Sequence, residues 1–223
     1  MSPVADALWY ASYGSNMLER RFQHYLHGGR PAGARREYPG ARDRSAHGGS
    51  VPVTLAGSVF FAWESPTWGG GIAFYDPDGP GTSYGRAYLV TAGQFSDIFA
   101  QEMHRIPEAD LDVTGLLADG RFVVGPGRYE HQVVVGEIDG VPVVTFTASW
   151  TADEIAFNAP AERYVAMLVE GLRESHGVDD TACVDYLLGR PGIGVDWTRA
   201  RLVDLVARTG SADRPRHDAS RRR

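Results

Sequence analysis

Cysteine is almost absent. Cys183 is the single cysteine in 223 residues, which excludes an intramolecular disulfide and fits a reducing compartment. No apolar run approaches the length of a membrane span, which takes about 20 residues. The first residues have neither a basic segment nor an apolar stretch of secretory length, so a soluble, cytoplasmic protein is expected. Positive charge is not in excess either. A net charge of −6 argues against nucleic acid or an anionic membrane surface as the main partner. Several catalytic signatures are also missing. There is no G-x-S-x-G elbow, no H-E-x-x-H, no paired-cysteine spacing and no phosphate-binding loop. His24 and His27 share a helical spacing without a third ligand, so no metal is expected. Cys183, beside Val184 and Leu187 on a helical pattern, reads as core.

What the chain does have is glycine and proline, 27 and 13 residues, which imply many turns and short strands rather than a helical bundle. Apolar content of 43% and charged content of 22% suit one globular core. A single domain is expected over residues 1–209, followed by a polar, disordered tail over 210–223 that ends in three arginines. No internal repeat is present.

The chain is organised around Leu8-Trp9-Tyr10-Ala11-Ser12-Tyr13-Gly14-Ser15-Asn16-Met17. An apolar strand runs into a polar turn and then into a helix whose apolar face is Leu18, Phe22, Tyr25 and Leu26. Such a turn aims backbone N–H groups and a positive helix end at one spot, suited to a carboxylate or an oxyanion. A capped helix after an edge strand is the plainer reading. The next segment, 30–50, carries Arg30, Arg35, Arg36, Arg42 and Arg44. It reads as a solvated loop, or as a patch that attracts an anionic substrate.

Strands are predicted over 51–63 (around Gly57), 69–75 and 84–90. The glycines Gly69, Gly70 and Gly71 allow a ligand or another backbone to come close. Thr91-Ala92-Gly93-Gln94 has the form of a capping box, and the helix it opens carries the apolar stripe Phe95, Ile98 and Phe99. The next place on that stripe is Glu102. A carboxylate there is desolvated, and its raised pKa suits a general base near neutral pH. A frayed helix end with Glu102 paired to Arg105 is the alternative. Segment 107–128 is a Pro/Gly/Asp-rich connection with the character of a lid. An Asp139-Gly140 hairpin joins strands 129–136 and 141–149, and helices are predicted after Pro160 (through Tyr164, Met167, Leu168 and Leu172), over 180–188 and over 197–208. One carboxylate and one amide-rich turn suggest acyl chemistry by proton transfer, without metal or covalent intermediate.

Tyr10-Ala11-Ser12-Tyr13-Gly14-Ser15-Asn16 resembles the signature loop of the γ-glutamylcyclotransferases. The similarity continues in order through Trp68-Gly69-Gly70-Gly71-Ile72-Ala73, Tyr84-Gly85-Arg86-Ala87-Tyr88, Glu102 and Pro160-Ala161-Glu162-Arg163-Tyr164. Met103 stands where the family usually has Gly, and Phe146 where a Tyr is common. The resemblance implies an α+β fold, a small mixed β-barrel with helices packed around it. It also implies a cofactor-independent enzyme that cyclises a γ-glutamyl amide to 5-oxoproline and releases an amine or amino acid. On that resemblance Glu102 is the acid/base. Tyr10, Ala11, Ser12, Tyr13, Gly14 and Ser15 hold the α-amino-acid end of the small-molecule substrate, and Tyr164 lines the pocket. Amide hydrolysis, or an inactive ligand- or partner-binding descendant, are the alternatives. Selectivity for the leaving group falls to segments 30–50 and 107–128.

Overall fold

The structure is a computed structural model that describes residues 7–212. Strand β1 (Ala7–Ser12) is central to it. Six strands form one mixed sheet in the order β2 (Ser50–Ala56), β5 (Thr82–Thr91), β1, β8 (Val141–Thr147), β7 (His131–Ile138), β6 (Arg121–Val123). Every pairing in it is antiparallel except β1 with β8.

The period-two alternation of β1 divides the core. Leu8 and Tyr10 face one cluster, with Phe22, Tyr25 and Leu26 of α1 (Glu19–His27) and Phe95, Ile98 and Phe99 of α2 (Ala92–Glu102). Trp9 and Ala11 face the other, covered by α4 (Glu162–His176), α5 (Asp180–Leu188) and α6 (Arg199–Ala212). Cys183 is buried in this second cluster, as its helical neighbours suggested. No helix among the described residues is long and apolar enough to cross a membrane.

Among the described strands, β3 (Ser58–Ala62) and β4 (Ile72–Asp76) pair only with each other, while Phe61 N donates to Pro191 O (2.9 Å) and Phe61 O accepts from Asn158 N (3.1 Å). The expected barrel is therefore not a continuous hydrogen-bonded cylinder; its ladder is open on both sides of this ribbon. Two hydroxyls span the gaps. Ser83 Oγ of β5 accepts from Val59 N (2.9 Å) and donates to Gly57 O (3.0 Å). Thr147 Oγ1 of β8 accepts from Tyr75 N (3.0 Å) and donates to Tyr75 O (2.6 Å). At Val59 and Tyr75 the edge groups of the ribbon are thus satisfied by side chains, since buried backbone polar groups need partners.

Segment 107–128 is more than a lid-like connection. It holds α3 (Thr114–Asp119) and strand β6, which adds to the edge of β7. The strand read as 69–75 begins only at Ile72, and Gly70 and Gly71 before it serve a close backbone approach, whereas Gly69 has open space beside it. A Cβ on Gly71 would lie 2.0 Å from Asn158 O, and Gly71 N donates to Ala159 O at 2.8 Å. Helix α6 runs to Ala212, into the segment read as a tail; residues 213–223 lie outside the described residues.

Candidate active site

Strand β1 ends beside the start of α1, the end of α2 and the first turn of α4, and these elements enclose one pocket. The chain leaves β1 through Tyr13 and Gly14 and makes a single 3₁₀ turn, Ser15–Met17, before Leu18 opens α1. Neither Ser15 nor Asn16 caps a helix with its side chain. Asn16 instead turns into the pocket, where its Nδ2 donates to Glu102 Oε1 at 3.1 Å.

Glu102 is the last residue of α2, and the capping box at Thr91 and Gln94 fixes where that helix starts. Its apolar stripe therefore delivers the carboxylate to the pocket rather than to solvent. Burial pushes the Glu102 pKa above the ordinary carboxylate value; Arg21, a hydrogen bond from Tyr25, Arg128 and Asn16 pull it back in part. The fraying alternative does not occur, since Arg105 pairs with buried Glu130 at 2.5 Å.

Arg21 is the second charge in the pocket and is only 4% exposed. Its Nη2 donates to Tyr38 OH at 2.6 Å, and its guanidinium lies 4.5 Å from the Tyr38 ring and 5.0 Å from that of Tyr25. No carboxylate lies within ion-pair distance of it among the described residues, and its Nε and Nη1 have no partner. Asn16 Oδ1 is likewise buried and unpartnered. An unsatisfied buried polar group costs about 1–3 kcal/mol, more when charged. The two residues that carry these unpartnered donors and this acceptor both line the pocket.

Three tyrosines shape the far wall. Tyr164 OH accepts from Ala73 N (3.3 Å), Tyr129 OH donates to Ala73 O (2.8 Å), and Tyr13 OH donates to Phe146 O (2.6 Å). Burial raises the Tyr164 hydroxyl to about 12, with the backbone of Ala73 and of Ser15 restraining it by hydrogen bonding. These phenols stay protonated at neutral pH and act as fixed dipoles.

No protein-family model matches the sequence. Over 205 residues the chain is 32% identical to a protein of Arabidopsis thaliana named histone deacetylase 5, a match covering 82% of the chain and 31% of that relative. The chain thus spans about a third of the length of the curated relative it matches. Among solved structures, one named gamma-glutamyl cyclotransferase superposes with a TM-score of 0.50 at 15% identity, covering 91% of this chain and 99% of that one. The fold is γ-glutamylcyclotransferase-like. A structure of an uncharacterized protein from Homo sapiens also superposes, with a TM-score of 0.49 at 17% identity, covering 91% of this chain and 99% of that one.

On this γ-glutamylcyclotransferase-like fold, Tyr10, Ser12, Tyr13, Gly14, Ser15, Glu102 and Tyr164 all line the same pocket. Ala11 does not. Strand alternation turns its methyl into the core, and its carbonyl accepts from Thr145 Oγ1 at 2.7 Å. Part of the expected N–H set is also engaged locally, since Gly14 N contacts Ser12 Oγ at 3.4 Å and the Ser15 backbone interacts with Tyr164. His24 Nδ1 lies 3.2 Å from Gly28 O, and no three His, Cys, Asp or Glu side chains among the described residues group as metal ligands.

Gly14 has φ −113°, so it is required for space and not for a left-handed turn. A Cβ there would sit 3.0 Å from Tyr164 OH, which the bond from Ala73 holds in place. Gly14→Ala is expected to destabilise the chain by about 1–3 kcal/mol through overpacking. Urea unfolding measures this, and a change below about 0.5 kcal/mol would mean that Tyr164 yields freely.

Arg21, Asn16, His104, Arg128 and Tyr129 line the pocket without having been singled out as site residues. Arg21 had a signal. It interrupts the buried face of α1 between Leu18 and Phe22, as Glu102 extends that of α2. Arg128 and Tyr129 follow a Gly-Pro-Gly turn with no periodicity to read.

Proposed function

We propose that the chain cyclises a γ-glutamyl amide to 5-oxoproline and releases the amine or amino acid, with Glu102 as general acid/base. The carrying observation is the set of unpartnered groups around Glu102: the donors Arg21 Nε and Nη1 and the acceptor Asn16 Oδ1. They complement the two ends of an α-amino acid, carboxylate to the guanidinium and ammonium to the amide oxygen. Of the residues carried over by resemblance, Tyr10, Ser12, Tyr13, Gly14, Ser15 and Tyr164 would form the walls around this head group.

In this reading Glu102, ionised, takes a proton from the substrate's α-ammonium. The freed amine attacks the γ-carbonyl carbon of the same molecule, a C–N bond forms, and the carbonyl electron pair moves to oxygen. Collapse of that oxyanion breaks the bond to the leaving nitrogen, which receives the proton from Glu102; the second proton on the attacking nitrogen then passes through Glu102 to the released amine, which departs as its ammonium and leaves a neutral lactam. Protons balance over the cycle. The raised pKa of Glu102 brings it closer to the α-amine, so each transfer is less uphill. Because nucleophile and electrophile are in one molecule, holding the substrate folded supplies much of the acceleration.

The test is a panel of γ-glutamyl amides analysed for product by chromatography. 5-Oxoproline in equimolar amount with the released amine is expected. Free glutamate in its place would mean that water is the nucleophile and would replace cyclisation by hydrolysis.

A further inference from the structure

Tyr38 lies in the irregular segment after α1, yet its position is fixed from both sides. Tyr38 N donates to Gly29 O and Gly29 N to Tyr38 O, each at 2.9 Å. The backbone around it is packed closely. A Cβ on Gly40 would lie 2.7 Å from Gly28 N, and one on Gly28 would lie 2.9 Å from Pro39 O. Gly40 N donates to Gln101 Oε1 (3.1 Å), and Gln101 Nε2 donates in turn to Tyr25 O (2.9 Å). The Tyr38 side chain is buried and packs on Tyr25, with ring centroids 4.8 Å apart. Supports of this kind hold a side chain to one place.

That place is the boundary between two spaces. Tyr38 lines the pocket, of about 70 Å³, and also a wider cleft of about 490 Å³ beside it. There it meets Arg21, the cation that lacks a carboxylate partner. Tyr38 OH accepts from Arg21 Nη2 at 2.6 Å, and the hydroxyl proton itself has no acceptor among the described residues. A phenol both accepts and donates, so this bond leaves its O–H free. It also strengthens that donor, because successive hydrogen bonds polarise one another. A guanidinium and a phenolic O–H therefore stand side by side, close enough to serve the two oxygens of one carboxylate.

We infer that Tyr38 completes the α-carboxylate site: its hydroxyl holds Arg21 through Nη2 and donates its own proton to the carboxylate that the guanidinium binds. This inference rests on the γ-glutamyl amide reading of the pocket. Two donors together suit a group that only accepts. An α-carboxamide would bring N–H groups against them and leave a buried donor unpaired. Tyr38 is thus a determinant of α-carboxylate recognition as well as the support of Arg21.

The test crosses Tyr38→Phe with the carboxylate of the ligand. The two ligands are L-γ-glutamyl-ethylamide and the same compound with its α-carboxylate converted to a carboxamide. Binding is read by calorimetry in Glu102→Gln, where no turnover intervenes, with and without Tyr38→Phe. Loss of the hydroxyl is expected to weaken the carboxylate compound roughly 10–100-fold, the range for a hydrogen bond to a charged group, and the carboxamide far less. With Glu102 intact, Tyr38→Phe is expected to act on KM more than on kcat, because the α-carboxylate is unchanged by the reaction. Phe keeps the ring on Tyr25 and the backbone pairing with Gly29, so folding is expected to persist, and urea unfolding checks it. An equal loss for the two ligands would make Tyr38 a packing residue. No loss for either, or no binding of the carboxylate compound, would also overturn the inference. The product that the unsubstituted site forms from γ-glutamyl-ethylamide judges cyclisation separately. A carboxylate-selective loss without 5-oxoproline supports Tyr38 in this role and removes the cyclisation reading. An equal loss with 5-oxoproline formed does the reverse.

Discussion

Glu102→Gln is expected to reduce 5-oxoproline formation by roughly 10²–10⁴-fold, the range for a lost general acid/base. Gln keeps the oxygen that accepts from Asn16 Nδ2 and keeps the volume, so substrate affinity is expected to persist. The pH profile gives a second readout. The acid limb of kcat/KM in the wild-type enzyme is expected above the ordinary carboxylate range, and Glu102→Gln is expected to lack it. Stability moves in the opposite sense to activity. With its pKa raised on folding, Glu102 contributes stability that is fully present below its unfolded value and is lost as pH rises through the folded one. The Gln variant, neutral throughout, escapes that loss, so at neutral pH it is expected to unfold at higher urea than the parent. A loss of activity below about tenfold would remove Glu102 from the chemistry.

Arg21→Met is expected to lower kcat/KM by about 30-fold or more, since removing one member of a buried, hydrogen-bonded charge pair costs about 2–5 kcal/mol. The loss is expected mainly in KM, because the guanidinium contacts the α-carboxylate, which does not change during the reaction. Arg21→Lys keeps the charge but lacks the fork and is expected to fall between. Folding is expected to survive Arg21→Met, because an apolar chain of similar length in place of a buried cation that lacks a carboxylate partner is close to neutral. The tyrosine rings stacked on Arg21 can pack on methionine instead. The measurement is a Michaelis–Menten comparison of the three proteins on one γ-glutamyl amide, with urea unfolding alongside. A KM within about threefold of the parent would make Arg21 a packing residue only.

The parts of this molecule legible in its sequence are those governed by short-range periodicity. The division of β1 between two cores follows from alternation, and the arrival of Glu102 in the pocket follows from a capping box and a helical stripe. The same logic applied to α1 yields Arg21, a charge on a buried face. What was not legible depends on contacts distant in the chain. β6 is three exposed residues that pair with the edge of β7 and are tied by Arg121 to Asp78, distant in the chain. The glycines before β4 could have admitted a ligand or a backbone, and the position of segment 158–161 decides for the backbone at Gly70 and Gly71. The sequence pattern did not reveal that the ladder stops at β3 and β4, where Ser83 and Thr147 bind edge groups that further ladder bonds would have used. Ala11 lies outside the pocket lining because a motif is contiguous while a strand's faces alternate.

The hydroxyl joints at Ser83 and Thr147 give the β3–β4 ribbon a mechanical independence that the remaining strands lack. A ladder opens by breaking a row of bonds together, whereas each of these joints releases through one χ1 rotation. The ribbon carries Ile72 and Ala73, which line the pocket wall opposite Glu102. With Phe61 bonded to Pro191 and Asn158 on the backbone, the ribbon would move as a panel hinged there while β1, β5 and β8 keep their register. Native-state hydrogen exchange would register this as faster exchange at the Val59 and Tyr75 amides than at Trp9 or Leu89. A bound head group, by holding Tyr164 and through it Ala73, would latch the panel shut.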